Sequence, residues 1–345
     1  MRLVALISLW LIMVYPNLMA AEVKGLYRMD VAIQSKDEST RNEDIRRALE
    51  QVLKRLVRTD AMQSKAIRSM LDKPDHFVLQ YEYITKSTAD TPLDYLRVDF
   101  DSPRINDTLR QSNISPWGEQ RPEVLVWLSI EDNAEKSIFV ADQMPEIDRA
   151  LRATAEENGL PVTVPLWDLT DQQSLSFDDL EIGNGERVRQ ASARYETDAV
   201  LAGRLSHRPE GTWDATWRLY CQNLDETWQG NFPDLPEALR SGTSKTYTRL
   251  AERFIPRTTQ ETSLELKVVG LSSLDAIGRA TAYLNRLPQV KKLEWIGVDA
   301  DHASFKLYVL GDRASLEEAL ALGRVLIPVA NEDRQFSGLT YQLAE

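Results

Sequence analysis

The stretch Glu123-Val124-Leu125-Val126-Trp127-Leu128-Ser129-Ile130 is apolar almost without a break. A run of this kind suits an interior strand covered on both faces, not one with a solvated side. Working outward from it, the N-terminal side first offers Val23 to Ser35, whose Leu26, Met29, Val31 and Ile33 read as a strand. Thr40 to Arg58 then changes period: Ile45, Ala48, Leu49, Val52, Leu53 and Leu56 recur every three or four residues, the apolar stripe of an amphipathic helix. Ala61 to Leu71 continues as a second helix, which Pro74 ends. His76 to Ile84 and Leu93 to Phe100 alternate as half-buried strands, and Ser102-Pro103 opens a short helix through Arg110.

On the C-terminal side, Pro145 to Asn158 is a helix closed by Gly159 with Pro161 beyond it. Val162 to Pro165 is a short strand, Leu166 to Gly183 an acidic loop, and Glu186 to Tyr195 a helix. Strands follow over Ala199 to His207, Thr212 to Cys221 and Glu226 to Phe232, and Leu235 to Phe254 is a closing helix. From Ser263 the order becomes strand, helix, strand, strand, helix and a final strand pair, the core of a split βαβ unit. The expected fold class is therefore α/β to α+β: two small α/β sandwich domains, 22–132 and 144–256, then a ferredoxin-like domain, 262–345. The polar stretch Thr258 to Thr262 is the expected linker before the last of these.

The first residues read as a secretory signal over 1–20. Arg2 supplies the positive end, Leu3 to Val14 is apolar but too short to span a bilayer comfortably, and Ala20 and Ala21 offer cleavage after either. No Cys stands near that point, so a lipoprotein is not expected. Beyond it no window reaches ~18 consecutive apolar residues, and mean hydropathy is −0.37. The 345 residues are 43% hydrophobic and 27% charged, enough for sizeable cores. A net charge of −12 with scattered Lys and Arg excludes nucleic acid and anionic headgroups as expected partners. Only one cysteine, Cys221, is present, so no intrachain disulfide forms. With the signal, that fits a Gram-negative periplasm.

Two stretches carry a family resemblance. One is Trp117-Gly118-Glu119-Gln120-Arg121-Pro122 running into Glu123 to Leu128; the other is Ala191 to Leu205 followed by Trp213 to Leu219. Both resemble the family called domain of unknown function 2066, exported proteins of Proteobacteria without an assigned activity; the likeness takes in Gly159 to Asp168 and extends over nearly the whole mature chain. The middle section is similar in pattern to the small α/β domains of the TolB amino-terminal region and of curli-secretion and penicillin-binding-protein activator lipoproteins. Those proteins dock onto other envelope components, which implies a scaffold role without assigning any residue.

Reactive constellations are sparse. His76, His207 and His302 lie in different parts of the chain without Cys or carboxylate at metal-ligand spacing. No Gly-x-Ser-x-Gly occurs, and the nearest approach to Ser-x-x-Lys, Ser241 to Lys245, is one residue out of register. Cys221 shares a strand face with Leu219 and Trp217 and reads as a buried thiol. The acidic loop with Asp168, Asp171, Asp178, Asp179 and Glu181 admits a carboxylate-pair or calcium reading as well as a solvated one with a helix cap. Gly183-Asn184-Gly185 reads as a turn, lacking the Lys of a phosphate cradle. Trp213, Trp217 and Trp228 could form a stacking platform for glycan, but the even spacing of Trp213 and Trp217 turns both inward.

No catalytic, cofactor-binding or metal residue is assigned, and no cofactor is expected. The expectation is a periplasmic, non-enzymatic scaffold or accessory protein whose partner is a cell-envelope protein; its oligomeric state stays open. A glycan or peptidoglycan binding module and a carboxylate-dependent hydrolase are the alternatives.

Overall fold

The structure, a computed structural model, describes residues 23, 25–88, 91–133, 135–221, 224–256, 261–271, 273–299, 301–322, 325–330 and 336–344. The signal expected over residues 1–20, with both of its cleavage points, lies outside them. Among the described residues the fold is mixed α and β, with three sheets and ten α-helices.

The first sheet orders β1 (Arg28–Ala32), β3 (Thr91–Phe100) and β2 (Val78–Thr88) as β1-β3-β2, all antiparallel. Helix α1 (Glu38–Leu56) lays Ile45, Leu49, Val52, Leu53 and Leu56 on the sheet's Val31, Leu96 and Val98, and all of them are buried. The opposite face is wet. Its strands are tied by crossing ion pairs, Arg97 to Asp30 at 2.8 Å and to Glu82 at 3.2 Å, and Lys86 to Asp30 at 2.8 Å. The helix expected over Ala61 to Leu71 is split: a 3-10 turn, Thr59–Gln63, ends at Ser64, whose hydroxyl accepts from the Ile67 N–H and starts α2 (Lys65–Leu71). Helix α3 (Ser102–Gln111) follows β3.

The central sheet contains β4 (Val124–Asp132), β5 (Glu135–Ile138), β6 (Val162–Thr163), β7 (Ala199–His207), β8 (Trp213–Cys221) and β9 (Leu224–Phe232). Its order is β5-β4-β7-β8-β9, with the short β6 also on β4. Strand β4 runs parallel to β7, Val124 opposite Ala199 and Glu131 opposite Ser206. Grouping this strand with residues 22–132 on sequence is therefore corrected: it belongs to the sheet built from residues 144–256. The physical reason is its own composition. Val124, Val126, Leu128 and Ile130 are buried under α4 (Pro145–Asn158) and α8 (Leu235–Phe254), while Leu125 and Trp127 are buried under α5 (Leu169–Ser174), α6 (Phe177–Ile182) and α7 (Gly185–Ser192). Only a sheet covered on both sides can take such a strand, and the first sheet has an open face. Gly159 ends α4 at φ 62°, as its place in the sequence required.

In the last sheet β10 (Glu261–Val269), α9 (Leu274–Arg286) and β11 (Val290–Val298) form a split βαβ unit, because β12 (His302–Leu310) lies between the two strands and antiparallel to both. After α10 (Arg313–Leu322) the chain closes with β13 (Leu326–Pro328) and β14 (Leu339–Leu343), giving the order β11-β12-β10-β14-β13. Here β14 runs parallel to β10 and β13 forms the outer edge. Residues Ala303, Phe305, Leu307 and Val309 of β12 face the helices and are buried, alternating with half-buried neighbours.

The first sheet's α1 and the central sheet's α4 and α8 meet around a buried cation that sequence reasoning passed over. Arg121 is 2% exposed and all five of its N–H groups point at main-chain oxygens: Gly118, Asn158, Gly159, Arg55 and Trp117, at 2.5–3.1 Å. The guanidinium also lies over the rings of Trp117 and Tyr247, 4.7 and 5.9 Å from their centroids. Around it the Tyr247 hydroxyl donates to the Val57 carbonyl at 2.9 Å, and Arg58 donates to the Glu252 carbonyl at 3.0 Å. On the other side Gln289 donates to the Phe254 carbonyl at 2.9 Å, tying the last sheet to α8.

Candidate functional site

The acidic segment is not a loop. Its residues form α5 and α6, two helices too short to show an apolar stripe and begun by side-chain caps. Asp168 caps α5 by accepting from the N–H of Thr170 and Asp171 at 3.0 and 3.1 Å. The same carboxylate takes a forked pair of bonds from Arg194 at 2.6 and 2.8 Å. The bond from Arg194, with the backbone bonds after it, holds the Asp168 carboxyl down at about 2. Asp171 is fully buried and accepts from Arg194 at 3.2 Å and from the Tyr195 hydroxyl at 2.5 Å. Burial first, and this bond second, push the Tyr195 phenol up to about 12.

Asp179 closes a capping box with Ser176 at the start of α6 and accepts from Asn184 at 3.1 Å. Glu181 turns to the sheet, 2.8 Å from Arg204. Asp178 is exposed. Four of the five carboxylates are thus divided among caps and ion pairs while Asp178 is exposed, and only Asp168 and Asp171 come together, across one guanidinium. What they do is chemical stapling: they hold α5 to the turn at Arg194 and Tyr195, over Trp127, whose ring meets those of Trp167 and Tyr195 edge-on at 6.2 and 6.1 Å.

The remaining sequence-singled groups are scattered. Gly183-Asn184-Gly185 is a turn, with Gly183 at φ 70° ending α6 and Asn184 capping α7. His76 lies in the 3-10 turn Pro74–Phe77, His207 sits 2.7 Å from Asp132 and stacks on Trp213 at 4.7 Å, and His302 lies between Asp299 and Asp301 at 3.1 and 3.0 Å. Among the described residues no group of three or more His, Cys, Asp and Glu side chains is placed to hold a metal ion. Cys221 is buried, and burial pushes its thiol up to about 11. Trp217 is fully buried, and Trp213 and Trp228 pack half-buried on the same core.

One open feature of the central sheet remains. Helices α5 to α7 cover Val200, Ala202 and Tyr220 but leave bare the other half of that face, where Arg204, Ser206, Asp214, Thr216, Gln229 and Asn231 line a groove of about 500 Å³. Its charges are answered within the sheet. Asp214 accepts from Asn231 at 2.8 Å and Arg208 at 2.6 Å, which hold its carboxyl below the usual range, and Ser206 donates to Glu131 at 3.3 Å. The groove thus presents paired polar and charged side chains in a recess, with the Asp214 carboxylate held by Asn231 and Arg208. The alternation along β7 and β8 could have located it, since polar residues replace apolar ones on one face halfway along each strand.

Residues 20–118 match the model of a family described as Domain of unknown function (DUF8605). No curated protein matches the chain. The likeness to domain of unknown function 2066 is thereby corrected: the matching family is a different one, and its segment ends at Gly118, before nearly all the residues on which that likeness rested. Those residues belong to β4, β7 and β8, where burial on both faces and the packing of Trp217 impose apolar runs with interspersed Gly and Trp. Such a pattern reports an interior sheet and not a lineage. The DUF8605 segment spans the first sheet and its helices up to Trp117. No helix among the described residues is long and apolar enough to cross a membrane.

Proposed function

We propose that this chain is a non-enzymatic scaffold or accessory protein of the Gram-negative periplasm that binds a cell-envelope partner on the open half of its central sheet. The observation that carries the reading is the groove over Arg204, Ser206, Thr216 and Gln229, a recessed face whose charges are already compensated. The export part of the reading rests on Arg2, the apolar run Leu3 to Val14 and the small residues Ala20 and Ala21.

A photo-reactive amino acid placed at Thr216, with Glu43 on the exposed side of α1 as control, tests this in cells. The expected result is an adduct from Thr216 alone, with an envelope protein identified by mass spectrometry, and release of the chain by osmotic shock. Equal labelling from both positions, no adduct, or retention with the cytosol overturns it.

A further inference from the structure

We propose that a second groove, in the DUF8605 segment between α2 and α3, binds an extended acidic peptide of a partner protein. The groove has a volume of about 450 Å³ and is walled by exposed Lys65, Lys73 and His76 over an apolar floor of buried Met70 and Phe77. No carboxylate among the described residues lines it. Several cations elsewhere, Arg28, Lys86, Arg97, Arg204 and Arg208 among them, stand within ion-pair distance of an acid. Lys65 and Lys73 have no such partner among the described residues, in a protein whose net charge is −12. Exposed Asp72, Asp75 and Asp107 lie beside the recess in the chain, but its lining carries Lys65 and Lys73 without an acid, so the charge inside it is positive.

The shape selects among anions. Lysine carries a compact, mobile charge that follows a flexible carboxylate without demanding one geometry. The Ser69 hydroxyl on the groove wall donates to no side chain or carbonyl among the described residues, so it remains available to a peptide carbonyl. Met70 and Phe77 at the base give an apolar side chain somewhere to rest between acidic neighbours. An anionic bilayer is disfavoured on two counts: the overall charge repels it, and the apolar groups are recessed where membrane binding needs them to protrude. The site stands apart from the central groove, and a crosslink at Thr216 does not pass through these lysines.

The test uses the full chain and a fluorescein-labelled peptide of alternating Glu and Leu, with the Lys and Leu counterpart as control, read by fluorescence anisotropy. Binding of the acidic peptide alone is expected, weakened on the order of tenfold or more in Lys65→Glu/Lys73→Glu and unchanged in Lys306→Glu, with circular dichroism showing each variant folded. Affinity of the unmodified chain must also fall as salt rises. Absence of binding, equal binding of both peptides, undiminished binding in the folded double variant, or salt-independent binding overturns the proposal. So does binding to phosphatidylcholine–phosphatidylglycerol vesicles that the double variant loses while the peptide is not bound, which would assign the groove to lipid.

Discussion

The guanidinium of Arg121 donates through Nη2 to the main-chain oxygen of Arg55 at 2.5 Å, so one arginine caps the end of the helix that carries the other. Four further bonds run to carbonyls of Gly118, Asn158, Gly159 and Trp117, and no carboxylate among the described residues accepts from it. Burial pushes Arg121 down to about 10, which leaves it charged at neutral pH. Its positive charge is therefore stabilised by oriented dipoles and two aromatic faces. Arg121→Ala strips five buried carbonyls of their donors at once. It is expected to cost at least about 3 kcal/mol of unfolding free energy, measured by urea denaturation. Arg121→Lys should recover only part of that, because three ammonium donors cannot serve five acceptors. A loss within ~0.5 kcal/mol for either would show that the junction does not depend on this side chain.

Trp217 fills a slot between two glycines. A Cβ on Gly203, its neighbour across β7, would stand 2.4 Å from the indole, and one on Gly242 of α8 would stand 2.7 Å from the ring's other end. Gly242→Ala should therefore destabilise by about 1–3 kcal/mol through overpacking. The smaller ring of Trp217→Phe makes room, and its loss costs no hydrogen bond, since the buried Trp217 Nε1 has none. The double variant is thus expected to be more stable than the sum of the single losses predicts. Strict additivity in thermal or urea unfolding would reject the slot.

Cys221 faces the same core, and burial lifts its thiol to about 11. A group raised this far is almost wholly protonated at neutral pH, and access is closed as well. Native protein is expected to resist a thiol reagent such as dithionitrobenzoate and to react promptly once unfolded in urea. Reaction of the native chain at the unfolded rate would place the thiol at the surface.

The interior strand Glu123 to Ile130 could be read from its residues because two covered faces impose a composition that one covered face does not. The same holds for α1, whose stripe from Ile45 to Leu56 spans about three turns, and for α4, whose stop at Gly159 is a backbone requirement. What could not be read is the partner of β4, for a parallel neighbour 75 residues away leaves no local trace. Helices α5 and α6 escaped because six residues hold less than two turns; only the Ser176–Asp179 capping box marked one of them. Arg121 was invisible for a further reason. Its five acceptors are backbone carbonyls, which any sequence supplies, and their convergence is a property of the packed chain alone.

The last expectation concerns pH and follows from the pairing of Asp168 with Arg194. The bonds from Arg194 and from the first turn of α5 hold the carboxyl at about 2, against 3.8 for an unpaired aspartate. In the unfolded chain Asp168 takes up its proton first, so its contribution to stability is complete above about pH 3.8 and disappears as pH falls toward 2. Tyr195, in the same cluster, works at the other end of the scale. Its phenol is raised from 10.0 to about 12, so the unfolded chain ionises first and stability falls as pH climbs between those values. Asp168→Asn should flatten the acid limb of the unfolding curve between pH 3.8 and 2 while leaving the alkaline limb alone. Tyr195→Phe should do the reverse, and the tyrosinate absorbance of the native chain should lose part of its late-titrating component, buried Tyr247 supplying the rest. An acid limb identical to that of the unmodified chain in Asp168→Asn, measured by urea unfolding at each pH, would mean that the staple between α5 and Arg194 adds nothing to the folded state.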